Sequence, residues 1–180
     1  MKAQFQGTCQ CCGRMHKLPY GRLSTHGYQV RWNSFVGTCD GSGKLPYELS
    51  CEYLSNFVVL CEEKKQKILQ EAASVRTSQD STKTWVQAHE GWREAEVVDA
   101  GNGGFMLKSK SSTTGRPSIW WAIALRVYAN TAQGVCEAQN AKYAEWLEQV
   151  KVKHLEQYIQ WTKRRISEWK LRELKPIGGK

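Results

Sequence analysis

The sequence predicts an α+β protein, mainly α, in which a small cysteine-rich N-terminal module precedes a long-helix hairpin with an inserted β-hairpin. Three observations predict it. Cys9-Gln10-Cys11-Cys12-Gly13-Arg14 and Gly37-Thr38-Cys39-Asp40-Gly41-Ser42-Gly43 place thiols in two turns near the N-terminus. Apolar residues recur at spacings of three and four over 50–75, and again after Gly134. Between those stretches, Gly101-Asn102-Gly103-Gly104 separates two short strand-like segments, a hairpin signal because such turns need residues tolerant of positive φ. The implied division is a metal-bound module over 1–50 and a helical domain over 51–180. The helices fall at about 51–75 and 118–174, around a loop and β-hairpin region at 76–117.

In the N-terminal module, Cys9 and Cys12 are separated by two residues and followed by Gly-Arg, the pattern of a zinc knuckle. Such a turn points both sulfurs at one ion and aims backbone N–H groups at them. Cys11 lies between the two and is expected to point away, and Cys39 in its Gly-rich turn is the third ligand. The fourth is open. His26 ranks first, giving Cys-x2-Cys-x13-His-x12-Cys, ahead of Cys51 at a helix start and His16 just past the knuckle. Unligated thiols and a polar turn histidine are the plainer alternatives. Asp40 and Glu48 are the acids of this module, so the pattern favours a closed structural Zn2+ site over a catalytic one with an open position and a nearby base. A redox Cys-x-x-Cys normally opens a helix in a βαβ unit, a pattern absent from this sequence.

Between the two turns, Arg22-Leu23-Ser24, Tyr28 to Trp32 and Ser34 to Gly37 alternate as strands do. A module this small buries little apolar surface, so metal would supply most of its stability. Arg14, Lys17, Arg22 and Arg31 interleave with Tyr20, Tyr28 and Trp32, a mixture that can follow a nucleic-acid backbone and stack bases. The same aromatics can instead form the module's own core, and that reading is favoured.

Gly7-Thr8-Cys9, Cys12-Gly13-Arg14, Lys17-Leu18-Pro19, His26-Gly27-Tyr28, Cys39 with Gly41 and Gly43, and Leu45-Pro46-Tyr47-Glu48 together resemble a family of small proteins encoded by bacteriophages, prophages and plasmids. These have a zinc-ribbon-like head and a helical, coiled-coil-like tail, and no assigned biochemical role. The resemblance covers about residues 5–60. It implies Cys9, Cys12, His26 and Cys39 as the metal set and a mobile-element origin.

In the first helix Ser50 is the expected N-cap and Glu52 suits the positive end of the dipole. Leu54, Val58, Cys61, Lys65, Ile68, Ala72 and Val75 form one stripe, with Cys61 as a small buried hydrophobe. Residues 76–83 read as a loop and Trp85–Trp92 as a short helix. The hairpin strands are Glu96–Ala100 and Phe105–Lys108, followed by a polar loop at Ser109–Arg116. The glycine cluster lacks the Lys-Ser or Lys-Thr ending of a phosphate loop. The second helix starts at Pro117 or Ser118, has weak points at Asn130 and Gly134, and carries Leu147, Val150, Leu155, Ile159, Ile166 and Trp169 as a stripe broadened by Tyr143, Trp146, Tyr158 and Trp161. Lys163, Arg164, Arg165, Lys170, Arg172 and Lys175 end it. Those cations either complement the helix dipole or form a phosphate-binding patch. His89 and His154 stand isolated and are read as ordinary polar residues.

The net charge of +9 is uneven: six Lys/Arg against two acids in 1–51, nine against nine in 52–118, and eleven against six in 119–180. Basic ends around a neutral middle point to an acidic partner, most simply nucleic acid, with plain solubility as the alternative. No apolar run approaches the roughly 20 residues of a bilayer span, and the N-terminus lacks a signal-peptide core. A reducing bacterial cytoplasm is the expected compartment, with no membrane partner, and there seven cysteines serve as ligands or buried thiols. With no nucleophile–base pair, carboxylate dyad or cofactor loop in sight, the expectation is a metal-stabilised, non-catalytic binding protein contacting nucleic acid or a host nucleoprotein. An adaptor or inhibitor of a host defence complex, using the Trp-rich helix, is the second reading. A homodimer through the long helix is the third.

Overall fold

A computed structural model describes residues 4–31, 34–88, 91–101, 104–108, 125–128 and 131–178. The helix start at Pro117 or Ser118, Asn130, the loop at Ser109–Arg116, Trp32 and His89 lie outside them, as do the side chains of Tyr28 and Arg31. The chain is α+β and divides into two compact units, Met1–Glu63 with Glu156–Lys180, and Lys64–Leu155. The first unit groups the C-terminal segment with the N-terminal module. Among the described residues no helix is long and apolar enough to cross a membrane.

In the first unit, β1 (Phe5–Thr8) and β2 (Met15–Lys17) form the knuckle hairpin, with Gly7 opposite His16. The other edge of β1 pairs with β9 (Lys175–Pro176), so the sheet order is β2-β1-β9. A separate ribbon joins β3 (Gly27–Arg31) to β4 (Ser34–Thr38). The core of this unit is Cys9, Leu18, Leu23 and Cys39, with Cys11, Cys12 and Leu174 packed against it. Helix α1 (Glu52–Arg76) begins where expected, and Ser50 Oγ accepts from Glu52 N–H at 3.1 Å.

The second unit holds an antiparallel meander, β5 (Lys83–Ala88), β6 (Gly91–Asp99), β7 (Gly104–Lys108) and β8 (Leu125–Tyr128). The β6–β7 pairing, with Val97 opposite Leu107, matches the expected hairpin. In place of the short helix expected over Trp85–Trp92, the described residues of that stretch belong to β5 and β6, with Gln87 opposite Trp92 and Ala88 opposite Gly91. Thr84 and Val86 are buried while Gln87 is exposed, the two-residue period of a strand, and Trp85 pairs across to Glu94. Val86, Ala95, Leu107 and Val135 form one core cluster.

The single long helix expected over 118–174 is also corrected at both ends. Residues 125–128 form a strand. Helix α2 (Ala132–Trp146) starts only at Thr131, whose Oγ1 accepts from Gly134 N–H at 3.1 Å, so Gly134 lies in the first turn rather than at a break. A π-helical stretch follows at Leu147–Val152, then α3 (Lys153–Ser167). That stretch shifts the buried face by part of a turn: Val152 is buried, whereas Val150, placed on the stripe by regular spacing, is half exposed. The last helical bonds are Glu168 N–H to Arg164 O (3.0 Å) and Trp169 N–H to Ile166 O (3.1 Å), and tertiary bonds follow them. Trp169 Nε1 donates to Tyr47 O at 2.5 Å and Arg172 N to Glu48 O at 3.0 Å, drawing the chain toward β1.

Candidate metal centre

The β1–β2 turn is closed by Cys9 N–H donating to Arg14 O (2.8 Å) and Gly13 N–H donating to Cys9 O (3.0 Å). Gly13 takes φ +72°, where a glycine avoids the steric penalty of a side chain. Folded this way, the backbone N–H groups of Cys11 and Cys12 donate to the Cys9 sulfur. The residues between the thiols therefore supply the hydrogen bonds that hold a thiolate.

The other pair of donors comes from the mouth of the β3–β4 ribbon. Gly27 pairs with Thr38, and the next residue out on each side is His26 and Cys39, joined by Cys39 N–H donating to His26 O at 2.8 Å. A spacing of twelve residues is thus closed by strand register. The Cys39 loop turns back through Ser42 N–H to Cys39 O (2.9 Å) and is tied to Leu23 by Gly43 N–H to Leu23 O (2.9 Å). Gly41 N–H donates to the Cys39 sulfur. A Cβ on Gly41 would overlap Cys9 Sγ and lie 3.7 Å from Cys39 Sγ, so this turn closes on the sulfurs only as glycine.

These two turns bring together Cys9, Cys12, His26 and Cys39, whose ligand atoms all lie within 4.8 Å of one another. Cys9 and Cys39 sulfurs stand 3.8 Å apart, and Cys9, Cys39 and His26 are buried. The decisive detail is His26. Its Nδ1 lies 2.8 Å from Ser24 O, an acceptor, which fixes the proton on Nδ1. Nε2 is buried and without a hydrogen-bond partner among the described residues, and the ring offers a ligand nitrogen within 4.8 Å of the three cysteine sulfurs. A histidine oriented by a backbone carbonyl with its other nitrogen bare is arranged as a metal ligand. The residues present fit a metal ion: three thiols and one imidazole, with outer hydrogen bonds already in place. Burial pushes the Cys9 thiol up and the Cys39 thiol up to about 12, so without a cation both hold their protons.

Neighbouring donors separate into ligands and supports. Cys11 does not point away as expected. It packs against the cluster, and its side chain hydrogen-bonds the Cys39 thiol. His16 stands beside the set, its Nε2 3.7 Å from Cys12 Sγ and its ring stacked on His26 at 3.7 Å between centroids. Burial and then the adjoining His26 keep its pKa low. Cys51 precedes α1 and is outside the cluster. Glu48 is buried, with its carboxylate accepting from Thr8 N–H (2.8 Å) and Thr8 Oγ1 (2.5 Å).

The basic candidates sort differently. Lys163 pairs with Glu62 at 3.1 Å and Arg164 with Glu168 at 2.9 Å. Arg165 donates to Gln10 O at 3.0 Å and stacks over Tyr47 and Trp161, 5.0 and 4.6 Å from their centroids. It belongs to the module's own construction. Arg14 and Lys17 are exposed, and Arg22 is exposed with Nη1 donating to Gly43 O at 3.1 Å. Arg31 lies in β3.

Sequence reasoning missed two features. Trp85, Trp92, Tyr143 and Trp146 form an aromatic cluster, with Trp85 stacked on Tyr143 at 4.1 Å. Tyr20, taken for core, is 85% exposed. The Pro19-Tyr20-Gly21 sequence was the available signal for the second.

Comparison of the chain with protein-family models, with curated proteins and with solved structures returns no match.

Proposed function

We propose that this chain is a zinc-stapled, non-catalytic binding protein whose zinc-ribbon-like N-terminal module contacts nucleic acid. The observation that carries the metal half is His26, whose Nε2 is buried without a partner and whose ring offers a ligand nitrogen within 4.8 Å of three cysteine sulfurs. Three thiols and one imidazole in a four-donor set favour Zn2+ over hard oxygen-seeking cations. The four-ligand set leaves no position for water, so the ion serves as a staple that closes two turns. Elemental analysis of the purified chain tests it. One zinc per chain is expected, lost in Cys9→Ser and His26→Ala and kept in Cys51→Ser. A chain that binds no zinc when refolded with it overturns the metal reading.

The nucleic-acid half rests on the exposed cations of the same module, Arg14, Lys17 and Arg22, against which Asp40 is the exposed acid. Phosphate contacts release counterions, so affinity for DNA or RNA should fall steeply as salt rises. Absence of binding at low salt overturns this half alone. The motif series Gly7-Thr8-Cys9 to Leu45-Pro46-Tyr47-Glu48 supports membership among the phage, prophage and plasmid proteins it resembles.

A protein adaptor is the second reading, favoured by the exposure of Tyr158 (47%) and Trp161 (54%) on α3. The other tryptophans of the C-terminal stretch do less for it, since Trp146 stacks in the aromatic cluster and Trp169 donates to Tyr47. A protein retained from host lysate after nuclease treatment, and lost with Trp161→Ala, would favour the adaptor.

A further inference from the structure

The turn Leu18-Pro19-Tyr20-Gly21 closes by Gly21 N–H donating to Leu18 O at 3.3 Å. Its third residue takes φ +58°, ψ +29°, a region where Gly or Asn is usual and a bulky aromatic is strained. Tyr20 is the one non-glycine residue at positive φ among the described residues. The strain gains it no packing, because the ring is 85% exposed, more than any other large apolar or aromatic side chain described. A side chain held in a costly conformation and pointed at solvent is a frequent mark of a contact made with something else.

The surroundings say what. Hydrogen bonds tie this turn to its neighbours: the backbone bonds Ser24 N–H to Lys17 O (2.9 Å) and Leu23 N–H to Lys44 O (3.0 Å), and the side-chain bond Arg22 Nη1 to Gly43 O (3.1 Å). Lys17, Arg22 and Lys44, all exposed, therefore flank the Tyr20 turn. An exposed ring set among cations matches a strand whose phosphates meet the charges and whose bases stack on the ring. In a duplex the bases are already stacked on each other, so a single solvent-facing ring favours a single strand.

Resting on the nucleic-acid reading above, we infer that Tyr20 is a base-stacking platform for single-stranded nucleic acid, held out by the strained turn and flanked by Lys17, Arg22 and Lys44. The test titrates the full zinc-loaded chain against fluorescently labelled oligouridylate and oligothymidylate of about 15 nucleotides. Tyr20→Asn keeps the turn and removes the ring. It should lower affinity about tenfold or more while the thermal midpoint holds or rises by roughly 2–4 °C. Tyr20→Phe should bind as the parent does. Tyr20→Asn binding as tightly as the parent overturns the inference and leaves the nucleic-acid reading standing. A parent chain that binds neither oligonucleotide at low salt overturns the inference, and the nucleic-acid reading falls with it when duplex DNA and RNA are not bound either. A fall in Tyr20→Asn affinity accompanied by a lowered thermal midpoint assigns Tyr20 a structural role and overturns the inference.

Discussion

Arg165 Nη1 donates to the backbone carbonyl of Gln10 at 3.0 Å, joining residues 155 positions apart in the chain. Gln10 lies between Cys9 and Cys12, so a helix cation holds the turn that presents two of the four candidate ligands. The guanidinium is meanwhile sandwiched by Tyr47 and Trp161, and Tyr47 Oη donates back to Arg165 O at 2.5 Å.

Arg165→Ala should therefore act on stability rather than on nucleic-acid affinity. A hydrogen bond from a charged group contributes about 1.5–3 kcal/mol, and an aromatic stack on the same cation adds about 0.5–1. Denaturant unfolding of the zinc-loaded chain should show a loss of about 2 kcal/mol. Arg165→Lys should recover only part of it, because an ammonium lacks the planar fork that stacks and donates together. Full recovery with Lys would assign the effect to charge alone.

Two glycines of the second turn make a controlled comparison. In Gly41→Ala the new Cβ would collide with Cys9 Sγ, so zinc affinity should fall at least about tenfold as the sulfurs are forced apart. Gly43→Ala meets no atom within 4 Å but must hold φ +72°. It should cost about 1–2 kcal/mol of stability and leave the ligand geometry intact. Competition with a coloured chelator reads the first effect and thermal unfolding the second.

Metal binding should be strongly pH-dependent. The Cys9 and Cys39 thiols hold their protons when no cation is present, with Cys39 pushed up to about 12, and each must lose its proton to ligate. Apparent zinc affinity should rise as pH rises, by about tenfold per pH unit for each proton released. An affinity flat between pH 6 and 8 would contradict thiolate ligation.

Glu48 sets a second pH dependence. Burial pushes its carboxyl up, but the two Thr8 hydrogen bonds outweigh that and leave it below the usual carboxylate value of 4.5. A folded-state pKa below the unfolded one means the contribution is complete above pH 4.5 and is lost as pH falls through the folded value. Glu48→Gln should flatten the acid limb of the stability curve. Unfolding midpoints of the two chains measured from pH 6 down to 3 should converge toward the acid end.

Much of the candidate metal centre was legible in the sequence because its chemistry is local. Cys9 and Cys12 share one turn, and the glycines at 13, 41 and 43 mark where backbone must bend or approach sulfur closely. His26 could be ranked but not chosen over Cys51 and His16. That choice needs the pairing of Gly27 with Thr38, which only strand register supplies. The middle of the chain was harder. Trp85, Ala88 and Trp92 fit a helical spacing, yet Thr84 and Val86 bury on one face of a sheet that reaches as far along the chain as Leu125–Tyr128. Short apolar runs carry no local sign of which period will win.

By itself, then, the sequence determined an α+β chain, an N-terminal module whose Cys9, Cys12, His26 and Cys39 could hold a metal, a first helix starting after Ser50 and a hairpin around Gly101–Gly104. These follow from turn chemistry, capping and spacing, all settled within a few residues. Only the tertiary structure decided that β9 returns to β1, that the helix stops at Ser167, that Arg165 serves the knuckle and that Tyr20 faces solvent. Each of these depends on which distant groups satisfy a hydrogen bond or cover an apolar surface. Such partners are fixed when the chain packs, and local spacing does not encode them.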